Sequence, residues 1–203
     1  RPFVFDEPRA ASVQVLSMTV ELWSIDKSAF NSFVTGKTRK AIMTRLNLHD
    51  TNFSLKDLRH VRVLGSGSFG VVRMVSHVKT GAVYALKKVS KTQNAMPGIL
   101  QNECDMLAMI DHPFMTYLVK TFETPKTVYI LTELLGGGDL AMVIRDYEVS
   151  DSESARFYVG SLAIALEALH GQGIAHRDIK PDNMMLDEEG YVKLIDFGWA
   201  KML

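Results

Sequence analysis

The sequence predicts an α+β protein in which a β-rich region is followed by a helical region. Short apolar segments with the period of half-buried strands lie between residues 58 and 131, with one helical stretch among them at about 97–110. From residue 152 to 169 the apolar residues recur at helical spacing instead. Hydrophobic residues make up 47% of the 203 residues and charged residues 23%, which excludes extended disorder.

Charge and cysteine content restrict the class of function. Lys and Arg together number 23, as do Asp and Glu, and this zero net charge argues against nucleic acid as a partner. The single cysteine can form no internal disulfide and fits a reducing compartment, so we expect a cytoplasmic protein. We expect no transmembrane segment, because no apolar run approaches the length of about 18 residues that a span needs.

The start of the chain predicts a small unit joined to a larger one. Alternating apolar residues predict a strand pair over 13–25, and Asp26 is placed to cap a helix that stops at Gly36. An amphipathic helical connector is predicted over 35–57. The pattern changes near residue 50, and the expected domains are 1–50 and 51–203, the second with a β-rich lobe at 58–135 and a helical lobe at 136–203.

The larger unit is expected to contain short strands and two main helices, at 97–110 and 152–169. The strands are predicted at 61–64, 71–76, 82–89, 119–123 and 128–131. Turn residues between successive strands, as at 124–126, suit antiparallel hairpins. Ser150 and Glu153 are predicted to form a capping box at the start of the second helix.

The first chemical motif is Gly65-Ser66-Gly67-Ser68-Phe69-Gly70, which fits G-x-G-x-x-G. Dinucleotide-binding proteins share this pattern, but there the motif opens a helix that meets a pyrophosphate. Here residues 71–75 continue as a strand, so the motif predicts a glycine-rich hairpin whose bare backbone can close over phosphates. A plain hairpin turn remains the alternative on this motif alone.

A lysine and a glutamate farther along the chain suit the same ligand. Lys87 follows Tyr84-Ala85-Leu86 on a predicted strand, from which its ammonium group can reach α- and β-phosphates if an acid fixes it. Glu103, on the helix at 97–110, is the expected partner in that ion pair. Taken alone, each residue has the ordinary interpretation of a surface charge.

Two further motifs supply the groups that phosphoryl transfer requires. They are H-R-D-x-x-x-x-N at 176–183 and D-F-G at 196–198. Asp178 can accept the proton of a substrate hydroxyl, and Lys180 brings positive charge near the γ-phosphate. Asn183 and Asp196 offer oxygen ligands for Mg²⁺. The H-R-D-x-x-x-x-N spacing is highly specific when it follows a glycine-rich hairpin and precedes D-F-G.

From Leu64 onward the sequence resembles the eukaryotic-type protein kinases. The resemblance implies a protein-kinase-like fold, with ATP and Mg²⁺ as cofactors and a protein Ser or Thr hydroxyl as the acceptor. It implies ATP-binding residues at Leu64, Gly65, Ser66, Gly67, Ser68, Phe69, Gly70, Val72, Ala85, Lys87, Thr132, Glu133, Leu135, Asp139 and Met185.

The resemblance also implies roles around the adenine pocket. Residues 133–135 take the position of the hinge, Thr132 that of the gatekeeper and Met185 that of the pocket floor. Asp139 falls where related kinases have an acid near the ribose and a substrate arginine, which implies protein substrates with basic residues near Ser or Thr. Residues 194–201 resemble the cyclic-nucleotide-dependent branch, although the tryptophan after D-F-G is larger than the usual residue.

A second resemblance lies at the start of the chain. Residues 8–13, Pro-Arg-Ala-Ala-Ser-Val, resemble the end of the phosphate-binding cassette of a cyclic nucleotide-binding β-roll, in which Arg9 would pair with the cyclic phosphate. A β-roll joined to a kinase in one chain resembles the cGMP-dependent protein kinases. This implies a cyclic nucleotide effector, cGMP rather than cAMP, although Ala10 stands where cGMP-selective sites often have threonine.

Two alternatives remain open. The protein is a kinase with another regulator if the Arg9 resemblance is accidental, or it is a nucleotide-binding scaffold without catalysis. We also expect the sequence to be an internal piece of a longer protein, because it starts without Met and stops five residues after Gly198. We expect that piece by itself to have little kinase activity.

Overall fold

The computed structural model describes residues 14–16, 18–49, 51–67, 70–91, 97–146 and 152–203. The chain divides into two compact units at the junction of residues 50 and 51. Residues of the predicted motifs that lie outside the described ranges are 8–13, with Arg9, and Ser68, Phe69 and Ser150. Within those ranges, no helix is long and apolar enough to cross a lipid bilayer.

The described part of the first unit contains two helices, α1 (Lys27–Phe33) and α2 (Gly36–His49). Asp26 caps α1, as the sequence predicts, because its Oδ1 atom accepts a hydrogen bond of 2.8 Å from the Ala29 amide. The end of α1 differs from the prediction, since α1 stops three residues before Gly36, which begins α2. The helical connector predicted over 35–57 is correct only as far as His49, where α2 ends, because residues 51–54 are not helical and only a 3-10 turn follows at Leu55–Asp57.

The strand pair predicted over 13–25 is wrong in its described residues. Residues 14–16 and 18–26 form no strand, and Leu22 and Trp23 are 77% and 91% exposed. Alternating apolar residues form a strand only where another strand supplies backbone hydrogen bonds and a surface covers the side chains. No described strand pairs with this segment, so the alternation produces no strand here and a β-roll is not shown.

The second unit begins with the strands that the sequence predicts. In its described part they form an antiparallel sheet in the order β1-β2-β3-β5-β4. Their bounds are β1 (Leu58–Gly67), β2 (Gly70–His77), β3 (Val83–Ser90), β4 (Leu118–Glu123) and β5 (Thr127–Glu133). The predicted helix follows β3 as α3 (Pro97–Met109). Tyr84 and Leu86 lie two positions apart on the same face of β3, and both are buried, as a half-buried strand requires.

The chain then becomes mainly helical. The helices are α4 (Leu140–Asp146) and α5 (Ser152–Gly171), and α5 matches the predicted helix at 152–169. Short strands complete the described part, and these are β6 (Ile174–Ala175), β7 (Met184–Leu186), β8 (Val192–Leu194) and β9 (Lys201–Met202). They pair as β6 with β9 and β7 with β8. The sequence pattern does not predict them, because strands of two or three residues are too short to show a period.

One hydrophobic core joins the sheet to the helical region. Its buried members include Leu107 of α3, Ile130 of β5, Leu169 of α5, Leu194 of β8 and Phe197, which follows β8. The backbone adds to this connection, because the Leu194 amide donates to the Phe114 carbonyl at 2.9 Å and the Thr116 amide donates to the Leu194 carbonyl at 3.0 Å. The sheet and the helical region therefore keep a defined relation within this unit.

The connection between β5 and α4 lies against β7. The Gly137 amide donates to the Leu186 carbonyl at 2.9 Å, and the Leu186 amide donates to the Gly138 carbonyl at 2.9 Å. A Cβ atom at position 137 would lie 2.6 Å from the Asp187 carbonyl oxygen and 2.7 Å from the Leu186 Cβ atom. Because these atoms are held by the backbone of β7 and its turn, position 137 admits only glycine without a backbone shift.

We expect Gly137→Ala to lower the free energy of unfolding by about 1–3 kcal/mol, the usual cost of overpacking. Gly136→Ala is the matched control, because the nearest atom to its Cβ would be Glu188 Cγ at 3.5 Å, an ordinary contact. Melting temperatures of both variants, measured beside the parent protein, test this expectation. Equal melting temperatures for the two variants would contradict it.

Candidate active site

A cavity of about 390 Å³ lies where the sheet meets the helical region, and this volume suits a small ligand. Most of the predicted ATP-binding residues line it, together with Glu103 and Asp196. Those lining residues are Leu64, Gly65, Ser66, Gly70, Val72, Ala85, Lys87, Thr132, Glu133, Leu135 and Met185. Residues far apart in the sequence therefore meet around one space.

The glycine motif forms the hairpin that the sequence predicts. β1 and β2 are antiparallel, and Gly67 pairs with Gly70. Gly70 has a φ of 125°, and a Cβ atom there would lie 2.1 Å from the Lys88 carbonyl oxygen on β3. Glycine therefore allows β2 to begin this close to β3. A strand follows the glycine motif, so the motif is not the dinucleotide-binding type, in which a helix follows.

Asp139 and Gly67 are predicted ATP-binding residues that do not line the cavity. Asp139 caps α4, because its Oδ1 atom accepts a hydrogen bond of 2.6 Å from the Met142 amide. Its backbone pairs with that of Met185, which does line the cavity. Asp139 therefore lies at the edge of the cavity, beside a residue that lines it.

Lys87 on β3 and Glu103 on α3 form an ion pair in the wall of the cavity. Lys87 Nζ lies 2.7 Å and 2.9 Å from the two carboxylate oxygens of Glu103. The side chains are only 18% and 8% exposed. Burial raises the pKa of Glu103, and the positive charge of Lys87 acts in the opposite direction. The contact fixes an ammonium group at the cavity, where it can face an anionic ligand.

Asp178, Lys180 and Asn183 form a hydrogen-bonded group next to the cavity lining. The Asp178 Oδ2 atom accepts hydrogen bonds of 2.7 Å from Lys180 Nζ and 2.7 Å from Asn183 Nδ2. The bond from Lys180 is the main reason that the pKa of Asp178 lies below its usual value. Asp178 is therefore a carboxylate at neutral pH and acts as a hydrogen-bond acceptor.

Asn183 and Asp196 present oxygen atoms that suit a hard cation. The Asn183 side chain donates through Nδ2 to the carbonyl and the carboxylate of Asp178, which leaves its Oδ1 atom available. The Ile195 amide donates to the Asn183 carbonyl at 2.9 Å and so holds Asp196 near Asn183. Amide and carboxylate oxygens are ligands that Mg²⁺ accepts in proteins, so this donor set fits that ion.

Two residues of these motifs have a strained backbone. Arg177 and Asp196 have φ values of 68° and 59°, in the left-handed region that non-glycine residues avoid. Hydrogen bonds hold both residues, since Arg177 Nε donates to the Trp199 carbonyl at 2.7 Å and the Gly198 amide donates to Asp196 Oδ1 at 3.2 Å. The surrounding structure therefore sets the orientation of both side chains.

His176 has a structural position beneath Asp178. It is buried, with Nε2 at 3.2 Å from the Ile195 carbonyl oxygen and the Asp178 amide donating to Nδ1 at 3.3 Å. Its ring packs edge-on against Phe197 at a centroid distance of 5.0 Å. Burial lowers the pKa of His176, so the ring is uncharged at neutral pH. It supports the Asp178 backbone and is not placed to transfer protons.

The second unit matches a known family. A family model of the protein kinase domain matches residues 58–203. The chain belongs to the protein kinase family. This match confirms the protein-kinase-like fold that the sequence motifs imply.

Individual relatives extend the comparison to the whole chain. The cGMP-dependent protein kinase of Toxoplasma gondii is 43% identical over 206 aligned positions, which cover 100% of this chain and 21% of that protein. The cGMP-dependent protein kinase of Eimeria tenella is 42% identical over 206 positions, covering 100% and 20%. Serine/threonine-protein kinase CBK1 of Pneumocystis carinii is 39% identical over 156 positions, covering 75% and 31%. The chain spans about a fifth of the length of these cGMP-dependent relatives.

The cavity of this kinase domain also contains residues that the motifs do not predict. They are Leu107, Thr116, Ile130 and Ile195, whereas Leu134 belongs to the hinge position that the resemblance assigns to residues 133–135. Ile195 directly precedes Asp196 of the D-F-G motif, and this adjacency is a signal that could have found it. Leu107, Thr116 and Ile130 carry no such signal, because residues of their kinds at these positions look like any other part of the core.

A second ion pair of the kinase domain joins the end of β5 to β8. Lys193 Nζ lies 2.7 Å from Glu133 Oε1, and the Tyr117 amide donates to the same oxygen at 2.8 Å. Both charged side chains are mostly buried. Glu133 lines the cavity but neither Lys193 nor Tyr117 does, so its carboxylate is bonded to groups outside the cavity lining. The pair thus ties the end of β5 to the helical region.

We expect Lys193→Met to lower the free energy of unfolding by about 2–3 kcal/mol, because the Glu133 carboxylate would stay mostly buried without its counter-charge. The double variant Glu133→Gln with Lys193→Met should recover much of that loss, since a neutral amide oxygen can still accept from Tyr117. Denaturant unfolding of Lys193→Met, Glu133→Gln and the double variant measures this coupling. A loss of stability in the double variant equal to the sum of the two single losses would contradict the interpretation.

Proposed function

We propose that the protein transfers the γ-phosphoryl group of ATP to Ser or Thr hydroxyl groups of proteins. The observation that carries the proposal is that the Lys87–Glu103 ion pair and Asp196 line one cavity, while Asp178 and Asn183 are hydrogen-bonded next to it. Phosphoryl transfer depends on positioning and on charge, and these residues supply both. The name of the fungal relative, a serine/threonine-protein kinase, supports the same acceptor.

The nucleotide would occupy the cavity between the sheet and the helical region. The adenine ring lies in the part lined by Thr132, Leu135 and Met185, and the glycine hairpin covers the phosphates. Lys87 faces the α- and β-phosphates, with Glu103 keeping its ammonium group in place. Asn183 and Asp196 would hold Mg²⁺, which when bound neutralises charge on the phosphates.

The transfer step uses the group around Asp178. The substrate oxygen forms a bond to the γ-phosphorus as the bond from that phosphorus to the bridging oxygen of ADP breaks, and the hydroxyl proton passes to Asp178. A carboxylate with a lowered pKa is a weak base, but a loose transition state demands position more than base strength. Lys180, already bonded to Asp178, places a positive charge near the transferred group.

The same proposal includes regulation by a cyclic nucleotide, with cGMP preferred to cAMP. Residues 1–50 would be the end of a cyclic nucleotide-binding domain plus a connector, with Arg9 on the cyclic phosphate, and 58–135 and 136–203 would be the two kinase lobes. The alignments support this, because two cGMP-dependent kinases match 100% of the chain, whereas CBK1 kinases match 75% to 87% of it. The effector activates only if it binds the active arrangement more tightly than the inactive one.

Substrate choice and location complete the proposal. Asp139, at the edge of the cavity, offers an acidic group to a basic residue near the acceptor Ser or Thr. The reaction would take place in the cytoplasm, a reducing compartment that suits a chain with a single cysteine.

Asp178→Asn in the full-length protein should lower kcat for a basic Ser/Thr peptide by about 10²- to 10⁴-fold, because the amide cannot take the hydroxyl proton. The Kd for ATP should stay unchanged, since Asp178 does not line the cavity. Asp182→Asn is the matched control, the same change at an exposed acid of the same motif. Similar activity in the two variants would contradict the role of Asp178.

Phosphotransfer by the full-length protein should be stimulated at lower concentrations of cGMP than of cAMP. Arg9→Ala should raise the concentration of cGMP needed, because the neutral side chain cannot pair with the cyclic phosphate. Titration of each nucleotide against peptide phosphorylation measures both effects, and Asp178→Asn controls for contaminating kinases. Activity that is indifferent to both nucleotides would remove the regulatory part and leave the kinase part intact.

A further inference from the structure

The side chain of Asn102 on α3 contacts the segment that follows Asp196. Its Nδ2 atom donates to the carbonyl oxygens of Ala200 at 2.7 Å, Gly198 at 3.2 Å and Phe197 at 3.4 Å. Asn102 is half-buried and does not line the nucleotide cavity. One amide group therefore bridges α3 to a stretch of backbone almost a hundred residues away in the sequence.

Apolar packing brings the same two parts together. A Cβ atom on Gly198 would lie 3.1 Å from Ile99 Cγ2, so α3 lies directly against the backbone there. Phe197 is fully buried in a core that includes Leu107 of α3. Apolar contacts are non-directional, so they do not fix where residues 197–200 lie along α3. The directional hydrogen bonds from the Asn102 amide do fix that position.

The neighbours of these contacts are the charged groups of the site. Glu103, the partner of Lys87, directly follows Asn102 on α3, and Asp196 directly precedes Phe197. A shift of the segment relative to α3 would therefore change the distance between the Lys87–Glu103 pair and the Asp196 carboxylate.

We propose that Asn102 is a positioning residue that couples α3 to the segment after Asp196, so that the ion pair and the Asp196 oxygens take their working positions together. This inference rests on the proposed function, because it assigns Asn102 to the binding of ATP with its metal ion. Asn102 touches neither of these ligands and acts through Glu103 and Asp196.

The chemistry of the contact explains why an asparagine is needed. A primary amide is neutral and carries two N–H donors on one atom, which suits a cluster of carbonyl acceptors. An aspartate has almost the same shape but only accepts hydrogen bonds, so it would face the three carbonyl oxygens with a repulsive charge. A leucine has the same number and branching of side-chain heavy atoms, adds no charge and leaves the carbonyl oxygens without this donor.

The test compares Asn102→Asp and Asn102→Leu with the parent full-length protein, all carrying Trp23→Phe. Trp23 and Trp199 are the two tryptophans of this sequence, and Trp199 lies within the bonded segment and is 44% exposed. In the full-length protein, any tryptophan outside this sequence is also replaced by phenylalanine. Acrylamide quenching of Trp199 then reports how tightly the segment is held. Gln101→Glu is the matched control, an amide-to-acid change at an exposed position of α3, where the side chain donates to Asp105 of the same helix and not to the segment after Asp196.

Both Asn102 variants should increase the quenching of Trp199. They should also reduce, by about tenfold, the factor by which Mg²⁺ strengthens ATP binding, while the Kd for ATP without Mg²⁺ stays the same. Gln101→Glu should leave both quantities at the parent values. Because Asn102→Leu adds no charge, its result decides the matter if Asn102→Asp does not fold.

Parent-like quenching and parent-like Mg²⁺ dependence in Asn102→Leu would overturn the inference. An equal weakening of ATP binding with and without Mg²⁺ would also overturn it, since that is the result of a merely structural role. A parent protein that binds ATP with Mg²⁺ but transfers no phosphoryl group would overturn the proposed function alone. In that case the quenching and binding measurements still decide the role of Asn102.

Discussion

The ion pair between Lys87 and Glu103 is the contact on which the geometry of the candidate active site depends. It joins β3 to α3 through hydrogen bonds of 2.7 Å and 2.9 Å, and both side chains are largely withdrawn from water. Taking two charges out of water is costly unless they meet in good geometry. The pair therefore persists only while α3 stays in place against the sheet, which makes the packing of α3 as important as the charges themselves.

The remaining polar groups of the site are also held by rigid neighbours. The Asp178 amide is hydrogen-bonded to the buried ring of His176, and the Asn183 side chain is hydrogen-bonded to Asp178. The Asp196 backbone has a left-handed conformation next to the buried Phe197. Side chains held in this way need little rearrangement when a ligand arrives, which is the condition for electrostatic stabilisation of a transition state. The core thus holds the groups that the proposed reaction would use in fixed positions.

The catalytic and regulatory parts of the proposed function have different support. The catalytic part rests on contacts between described residues of a kinase domain, with distances that an experiment can perturb one at a time. The regulatory part rests on the alignment of the whole chain with cGMP-dependent kinases and on a short motif around Arg9. Because regulation requires differential affinity for two arrangements, the regulatory part is tested by titrating the effector, whereas the catalytic part is tested by changing single contacts.

The sequence by itself determined the residue types of the chemistry and the elements that carry them. The glycine hairpin, the strands of the sheet, α3 and α5 follow from local periodicity and turn residues, because those signals act over a few neighbouring positions. Only the tertiary structure decided that Glu133 meets Lys193 and that Asn102 meets Ala200, pairs 60 and 98 residues apart. It also decided that the alternating residues of 14–16 and 18–26 form no strand. Such outcomes depend on which partner surface the folded core supplies, and a local pattern does not contain that information.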